Sequence, residues 1–153
     1  MDVSFVPAQP ADQQVLLDLI RQLREDDPDE GPFDLAGAKD ATRQLLSDPS
    51  VGRIWLIRSG EQIAGYVVLT LGYSIEFGGR IAFVDELLID RAYRGRGIGR
   101  AAMRFVEARA REIGVRVLLL EVTRSNESAR GLYRSAGYVD RPHQLMTKRI
   151  SER

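Results

Sequence analysis

The sequence predicts an α/β sandwich built on a mixed sheet, in the order β-α-α-β-β-β-α-β-α-β. Three observations predict it. Apolar residues recur at helical spacing in some segments and run continuously through short β-friendly stretches in others. Pro, Gly and acidic clusters punctuate the change from one pattern to the other. Val115 to Val122 is nearly continuous apolar sequence, as expected of a central strand buried on both sides.

Val3 to Pro7 reads as a first strand, and Pro10 stands at the start of a helix, where its missing N–H costs nothing. Leu16, Leu19, Ile20 and Leu23 give that helix one apolar face. Glu25-Asp26-Asp27-Pro28-Asp29-Glu30-Gly31-Pro32 ends it as an acidic, broken loop. A second helix is predicted from Leu35 to Leu46, stopped by Ser47-Asp48-Pro49. Strands follow over Arg53 to Arg58, with Trp55 in the core, over Ile63 to Leu71, and over Ile81 to Asp90. Ser59-Gly60-Glu61 and Gly78-Gly79 mark the turns between them. Ile98, Ala102, Phe105, Val106 and Ile113 share one face of a long helix that packs on the sheet. After the apolar run comes a short helix from Asn126 to Ala136, ended by Gly137. A last strand is predicted within Tyr138 to Ile150.

The bulk numbers bound the function. A chain of 153 residues, 44% hydrophobic and 29% charged, reads as one globular domain spanning residues 1–153. Lys+Arg and Asp+Glu both number 22, which argues against a global nucleic-acid binder. The absence of cysteine excludes disulfides, thiolate zinc sites and a Cys nucleophile, and one histidine excludes a multi-His metal site. No apolar run approaches the roughly 20 residues of a membrane span, and no secretory signal opens the chain, so a cytoplasmic location is the expectation.

Arg94-Gly95-Arg96-Gly97-Ile98-Gly99 carries the strongest chemical signal. It joins a strand to the start of a helix. Alternate glycines leave backbone N–H groups bare, and the helix aims its own free N–H groups and positive dipole end at the same place. Arg94, Arg96 and Arg100 add positive charge. Such a turn is a cradle for a pyrophosphate. It is not the dinucleotide fingerprint, which needs Gly-x-Gly-x-x-Gly after the first strand of a βαβ unit.

The chain resembles the GNAT (N-acetyltransferase) superfamily at two places. Arg94-x-x-Gly97-x-Gly99 matches the acyl-CoA signature Arg/Gln-x-x-Gly-x-Gly/Ala. Leu120-Glu121-Val122 followed by Asn126-x-x-Ala129-x-x-Leu132-Tyr133-x-x-x-Gly137-Tyr138 matches a second family pattern, in family order. The element order matches from end to end, although the N-terminal third matches in layout only. The resemblance implies a mixed, mostly antiparallel sheet of six or seven strands flanked by about four helices. It implies an acetyl-CoA-dependent enzyme that acetylates a primary amine by direct attack in a ternary complex, without metal. Backbone N–H groups of Arg94, Gly95, Arg96, Gly97, Ile98, Gly99 and Arg100 would hold the pyrophosphate. The strand edge Leu87, Leu88 and Ile89 would pair with the pantetheine arm. A homodimer is the family's common state.

Tyr133 is expected to protonate the departing thiolate, its ordinary pKa of about 10 keeping the proton available. The bland alternative is a core tyrosine. Asn126 is expected to position the CoA arm or simply to cap its helix, with Ala129 allowing close approach of the ligand. Three acids compete to take the amine's proton. Asp85 and Glu86 precede the glycine turn on opposite faces of their strand, and Glu121 lies in the apolar run, where an acid is costly to bury unpaired. Glu121 and Asp85 stand equal, with Glu86 third, and a salt bridge to arginine is the alternative for each. The acidic loop could attract a cationic acceptor, and Tyr73 and Glu76 could line its pocket. His143 reads as a surface residue.

A small-molecule amine is the preferred acceptor. A protein N-terminus or lysine is the alternative, and a non-catalytic acyl-CoA sensor is the rival of another class. Arg91, Arg94, Arg96, Arg100, Arg104, Arg109 and Arg111 crowd one region and raise nucleic-acid binding as a further rival. Zero net charge and the lack of interleaved aromatics weigh against it.

Overall fold

A computed structural model of the protein describes residues 2–27 and 31–151. Strand β1 spans Val3–Pro7, and a 3-10 turn at Pro10–Asp12 leads into α1, Gln13–Asp26. Helix α2 covers Leu35–Ser47, and strands β2, β3 and β4 cover Gly52–Ser59, Gln62–Ser74 and Gly79–Ile89. Helix α3 is Ile98–Glu112, β5 is Val117–Leu119 and α4 is Glu127–Ser135. The five strands form one sheet in the order β1-β2-β3-β4-β5. All neighbours are antiparallel except β4 and β5.

Helix starts are locally determined. The Asp12 carboxylate accepts the Gln9 N–H at 2.7 Å beside Pro10, and Asp34 caps α2 by accepting the Gly37 N–H at 3.0 Å. Leu16, Leu19 and Ile20 lay the apolar stripe of α1 on Ile54, Leu56, Tyr66, Val68 and Leu88 of one sheet face. On the other face Met103 and Val106 of α3 pack against Trp55, Val67, Leu69, Ala82 and Val84. Phe105 stacks on Phe5 at 4.3 Å and meets Trp55 edge-on at 5.3 Å.

A β-bulge sets the phase of β4. Val68 pairs with Glu86 and Leu69 with Val84, so Asp85 is the extra residue of the bulge. Ala82 and Val84 therefore face α3, whereas Glu86 and Leu88, two and four positions on from Val84, face α1.

The sheet is smaller than expected. It has five strands, not six or seven. β5 keeps only three residues of the Val115–Val122 run, and they are half-buried. It pairs with Ile81–Phe83 and no further, because the bulge bends β4 away just beyond that point. Residues 138–150 form no strand. Pro142 has no N–H for a ladder, and Val139, Leu145, Met146 and Ile150 stay exposed. β5 is thus uncovered on its outer edge among the described residues. No helix in those residues is long and apolar enough to cross a membrane.

Candidate active site

The strand–turn–helix at the start of α3 has the form of an anion cradle. Gly95 and Gly97 adopt φ of +73° and +78°, values that favour glycine. A Cβ at either would meet nothing within 4 Å, so the backbone lies bare. Gly97 is the N-cap of α3 and no side chain caps the helix. The first internal bond runs from Ala101 N–H to Gly97 C=O at 3.1 Å. The N–H groups of Ile98, Gly99 and Arg100 thus have no acceptor inside the helix. Gly99 serves packing: its position faces Leu132 of α4, with 3.1 Å between a Cβ built there and a leucine methyl.

Of the three arginines expected to add charge at this turn, Arg94 and Arg96 are engaged by groups of the protein itself. Arg94 Nε donates to the Ile89 carbonyl at 2.8 Å, and its guanidinium also pairs with Asp26 at the end of α1. Arg91 pairs with the same Asp26. Partial burial pushes the Asp26 pKa up, but the hydrogen bonds from Arg94 and Arg91 outweigh it and hold the carboxyl below its usual range. Arg96 donates to the Ala92 carbonyl at 3.0 Å and lies over the Tyr93 ring. Arg100 is exposed. In the crowded arginine region Arg109 and Arg111 also pair with acids, Glu112 and Glu107.

Beside the cradle, β4 has a free edge. Leu87, Leu88 and Ile89 pair with β3 on one side and, among the described residues, with no strand on the other, since β5 ends opposite Phe83. The backbone there can pair with an extended ligand. The residues present therefore fit an acyl-CoA: bare N–H groups for the diphosphate and an open strand edge for the amide-bearing arm.

On the α1 side the sheet forms a cavity of about 340 Å³, lined by Leu16, Ile20, Phe33, Ile54, Asp85 and Glu86 among others. The bulge corrects the expectation that Asp85 and Glu86 point to opposite faces: both line this cavity. Glu86 is held twice. Its Oε1 accepts from Arg24 Nη2 at 2.6 Å and its Oε2 from the Tyr66 hydroxyl at 2.5 Å. Burial, then the Glu86 charge and hydrogen bond, push the Tyr66 phenol well above its ordinary pKa, so it stays protonated. Asp85 is exposed at the cavity.

Tyr66 and Arg24 escaped the sequence reading. A phenol inside the apolar run Ala64–Leu69 was the available signal for Tyr66, because a buried hydroxyl needs a partner. For Arg24 the signal was its place four residues after Ile20, on the apolar stripe of α1.

The other expected site residues lie elsewhere. Glu121 is exposed and falls outside β5, so it is not an acid buried in a central strand. Tyr133 of α4 packs into the layer on the α3 face, with its ring 6.0 Å from that of Tyr138, and does not line the acidic cavity. Burial raises its pKa. Asn126 caps α4 by accepting the Ala129 N–H at 3.1 Å, the plain structural role expected of it. Tyr73 and Glu76 do not line the cavity. Tyr73 is 75% exposed and Glu76 pairs with Arg141. His143 is exposed and lies 3.2 Å from Arg141. In the acidic loop, Asp26 is taken by the two arginines, and residues 28–30 lie outside the described residues.

Comparison with known proteins agrees with this geometry. An integron cassette protein from the mobile metagenome of Cole Harbour Salt Marsh has the same fold, with a TM-score of 0.83 and 34% identity over 97% of this chain and 91% of that one. A predicted acetyltransferase of Clostridium acetobutylicum, solved with acetyl-CoA, superposes with a TM-score of 0.82 at 16% identity, covering 96% of each chain. The uncharacterized N-acetyltransferase YdgE of Bacillus subtilis (strain 168) is 39% identical over 58 residues, 38% of this chain and 37% of that protein. The match thus spans less than half the length of that curated relative. The family model described as "Acetyltransferase (GNAT) family" matches residues 15–138, and on that match, the fold and the bare turn before α3, the chain belongs to the GNAT acetyltransferases.

Proposed function

We propose that the protein is an acetyl-CoA-dependent N-acetyltransferase acting on a small-molecule primary amine. The observation that carries the proposal is the bulge at Asp85. It places an acidic cavity on one face of β4 at the point where the opposite edge of the strand is free and the bare turn follows.

Acetyl-CoA supplies, when bound, an activated acyl carbon and a thiolate leaving group. The chain's part is placement and proton handling. The N–H groups from Arg94 to Arg100 hold the diphosphate, and the Leu87–Ile89 edge aligns the arm with the cavity mouth. Alignment of amine and acyl carbon and backbone N–H polarisation of the carbonyl are the main contributions available to a site of this kind. The incoming ammonium must lose a proton before its nitrogen forms the new C–N bond. Asp85, which lines the cavity and is exposed there, is the group proposed to take it. Breaking the C–S bond releases a thiolate. Tyr133, kept protonated by burial, is proposed to return a proton to it. Helix α4 touches the cradle through Leu132 on Gly99, which supports that role. Glu86 is assigned to holding the cavity wall.

The test is calorimetric titration with acetyl-CoA, followed by thiol release with a panel of amines, on wild type and on the Tyr133→Phe and Asp85→Asn variants. Expected are binding by all three proteins and a fall in kcat of about 10²-fold or more in each variant. Binding without turnover of any amine would support the sensor alternative. Turnover of peptide N-termini alone would move the acceptor to proteins.

A further inference from the structure

Seven arginines crowd the glycine turn and helix α3, and five of them are engaged by the protein itself. Arg91 and Arg94 share Asp26, Arg96 holds the Ala92 carbonyl, and Arg109 and Arg111 pair with Glu112 and Glu107. Arg100 and Arg104 are left over. Both are exposed, and their side chains have no hydrogen bond or ion pair among the described residues. Their positions run against helix electrostatics. Arg100 stands in the first turn of α3, where the helix dipole favours an acid, and that turn holds no acid. Arg104 follows four residues on, along the same side of the helix, where like charges repel. Glu107, three residues beyond Arg104, pairs with Arg111 instead, away from the cradle. Two unshielded cations that repel each other beside a ligand site are a local cost of the kind that function explains.

Resting on the acetyl-CoA reading of the cradle, we infer that Arg100 and Arg104 bind the phosphate monoester on the ribose of CoA. The chain then distinguishes CoA from its dephospho form. The bare N–H groups of Ile98, Gly99 and Arg100 serve the diphosphate. The monoester, one sugar away, carries about two further negative charges for which those N–H groups have no capacity left. The two arginines lie away from the buried stripe of Ala102, Met103 and Val106, on the outer side of the helix. They are separated by about 6 Å along its axis. Helical Cα–Cβ bonds tilt toward the N-terminus, so both side chains set out toward the cradle. A guanidinium suits the task, because its planar fork donates two parallel bonds to phosphate oxygens. A phosphate between the two arginines also removes their mutual repulsion. The inference accounts for the leftover pair in a region where every other arginine is spent on the fold.

The test is calorimetric titration of CoA and of dephospho-CoA onto the full chain, as wild type, Arg100→Gln, Arg104→Gln and the double variant. The quantity read is the ratio of the two dissociation constants, which a general loss of affinity does not move. Wild type should prefer CoA about tenfold at low salt, each single variant about threefold, and the double variant not at all. The wild-type preference should shrink to about twofold in 0.5 M salt. Arg53→Gln, the same charge change at an exposed position of β2, should keep the wild-type ratio. Without ligand, Arg100→Gln should raise Tm by about 1–3 °C, since it removes a cation from the positive end of the helix. Equal binding of CoA and dephospho-CoA by wild type overturns the inference and leaves the acetyl-CoA reading standing. A ratio that survives both substitutions, or a lower Tm of ligand-free Arg100→Gln, also overturns it. Failure of both ligands to bind sinks the acetyl-CoA reading and this inference with it.

Discussion

Replacing Glu86 by Leu should cost the fold about 3 kcal/mol. The magnitude follows from the two partners left behind. Tyr66 is fully buried, and its hydroxyl loses its acceptor at 2.5 Å. An orphaned buried hydroxyl costs about 2 kcal/mol. Arg24, a quarter exposed, can turn toward water, so the loss of its carboxylate at 2.6 Å adds only about 1 kcal/mol. For a chain of this size the sum lowers Tm by roughly 6–12 °C. A double-mutant cycle with Tyr66→Phe isolates the hydroxyl–carboxylate bond. In wild type Tyr66→Phe should cost about 1.5 kcal/mol, because it removes a hydrogen bond to a charged group. In the Glu86→Leu background the same change should be neutral or stabilising, because it removes the orphan. Glu86→Gln, which keeps an acceptor for Tyr66, should lose only about 1 kcal/mol. Urea denaturation at neutral pH, read by midpoint at constant slope, measures all of these. Equal costs of Tyr66→Phe in the two backgrounds would refute the network.

Tyr138 is the mirror case, since its buried hydroxyl has no hydrogen-bond partner among the described residues. Tyr138→Phe should gain up to about 1 kcal/mol in a thermal melt. Burial, with the Tyr133 and Glu107 charges, pushes the Tyr138 phenol from 10.0 up to about 12. Its raised pKa favours the folded state below pH 10.0, and that contribution fades as pH climbs to about 12. Wild type should therefore lose ground to Tyr138→Phe across that window in pH-dependent melts. Asp26→Asn should raise KM for acetyl-CoA about threefold by freeing Arg91 and Arg94. Because the Asp26 pKa is lowered from 3.8, wild type should hold its full stability advantage over this variant above that pH and lose it as pH falls through the lowered folded value. Equal melts of the two proteins at neutral pH would remove the clamp. Gly97→Ala should cost about 1 kcal/mol of stability through its left-handed backbone alone, with weaker acetyl-CoA binding by calorimetry. Unchanged stability would contradict the φ of +78°.

Helices and the long antiparallel strands were legible in the sequence because each rests on a local period and a local stop. The α1 stripe of Leu16, Leu19 and Ile20, the Ser47-Asp48-Pro49 stop of α2 and the Gly97 turn are of this kind. The edge of the sheet was not. Val115–Val122 looks like a buried strand by composition, but its length is decided by where β4 bends. The same bulge defeated the two-residue rule that put Asp85 and Glu86 on opposite faces. No property of either residue announces the extra position. The cradle was readable because glycine spacing and a helix start are themselves local. The ties among Arg24, Tyr66 and Glu86 join residues up to 62 positions apart, and a single sequence carries no sign of that distance.

One carboxylate at the end of α1 grips two arginines at the two ends of the short 3-10 turn that follows β4. Helix α1 also walls the cavity at Asp85 and Glu86, so one helix borders both the cavity and the glycine turn. Asp26 ties the end of α1 to the turn before α3 through both arginines. For anyone transplanting a new recognition loop between α1 and α2, this sets the cut point: the graft begins at residue 27, and Asp26 stays with the scaffold. A design that exchanges the loop together with this aspartate also releases Arg91 and Arg94 at the turn before α3.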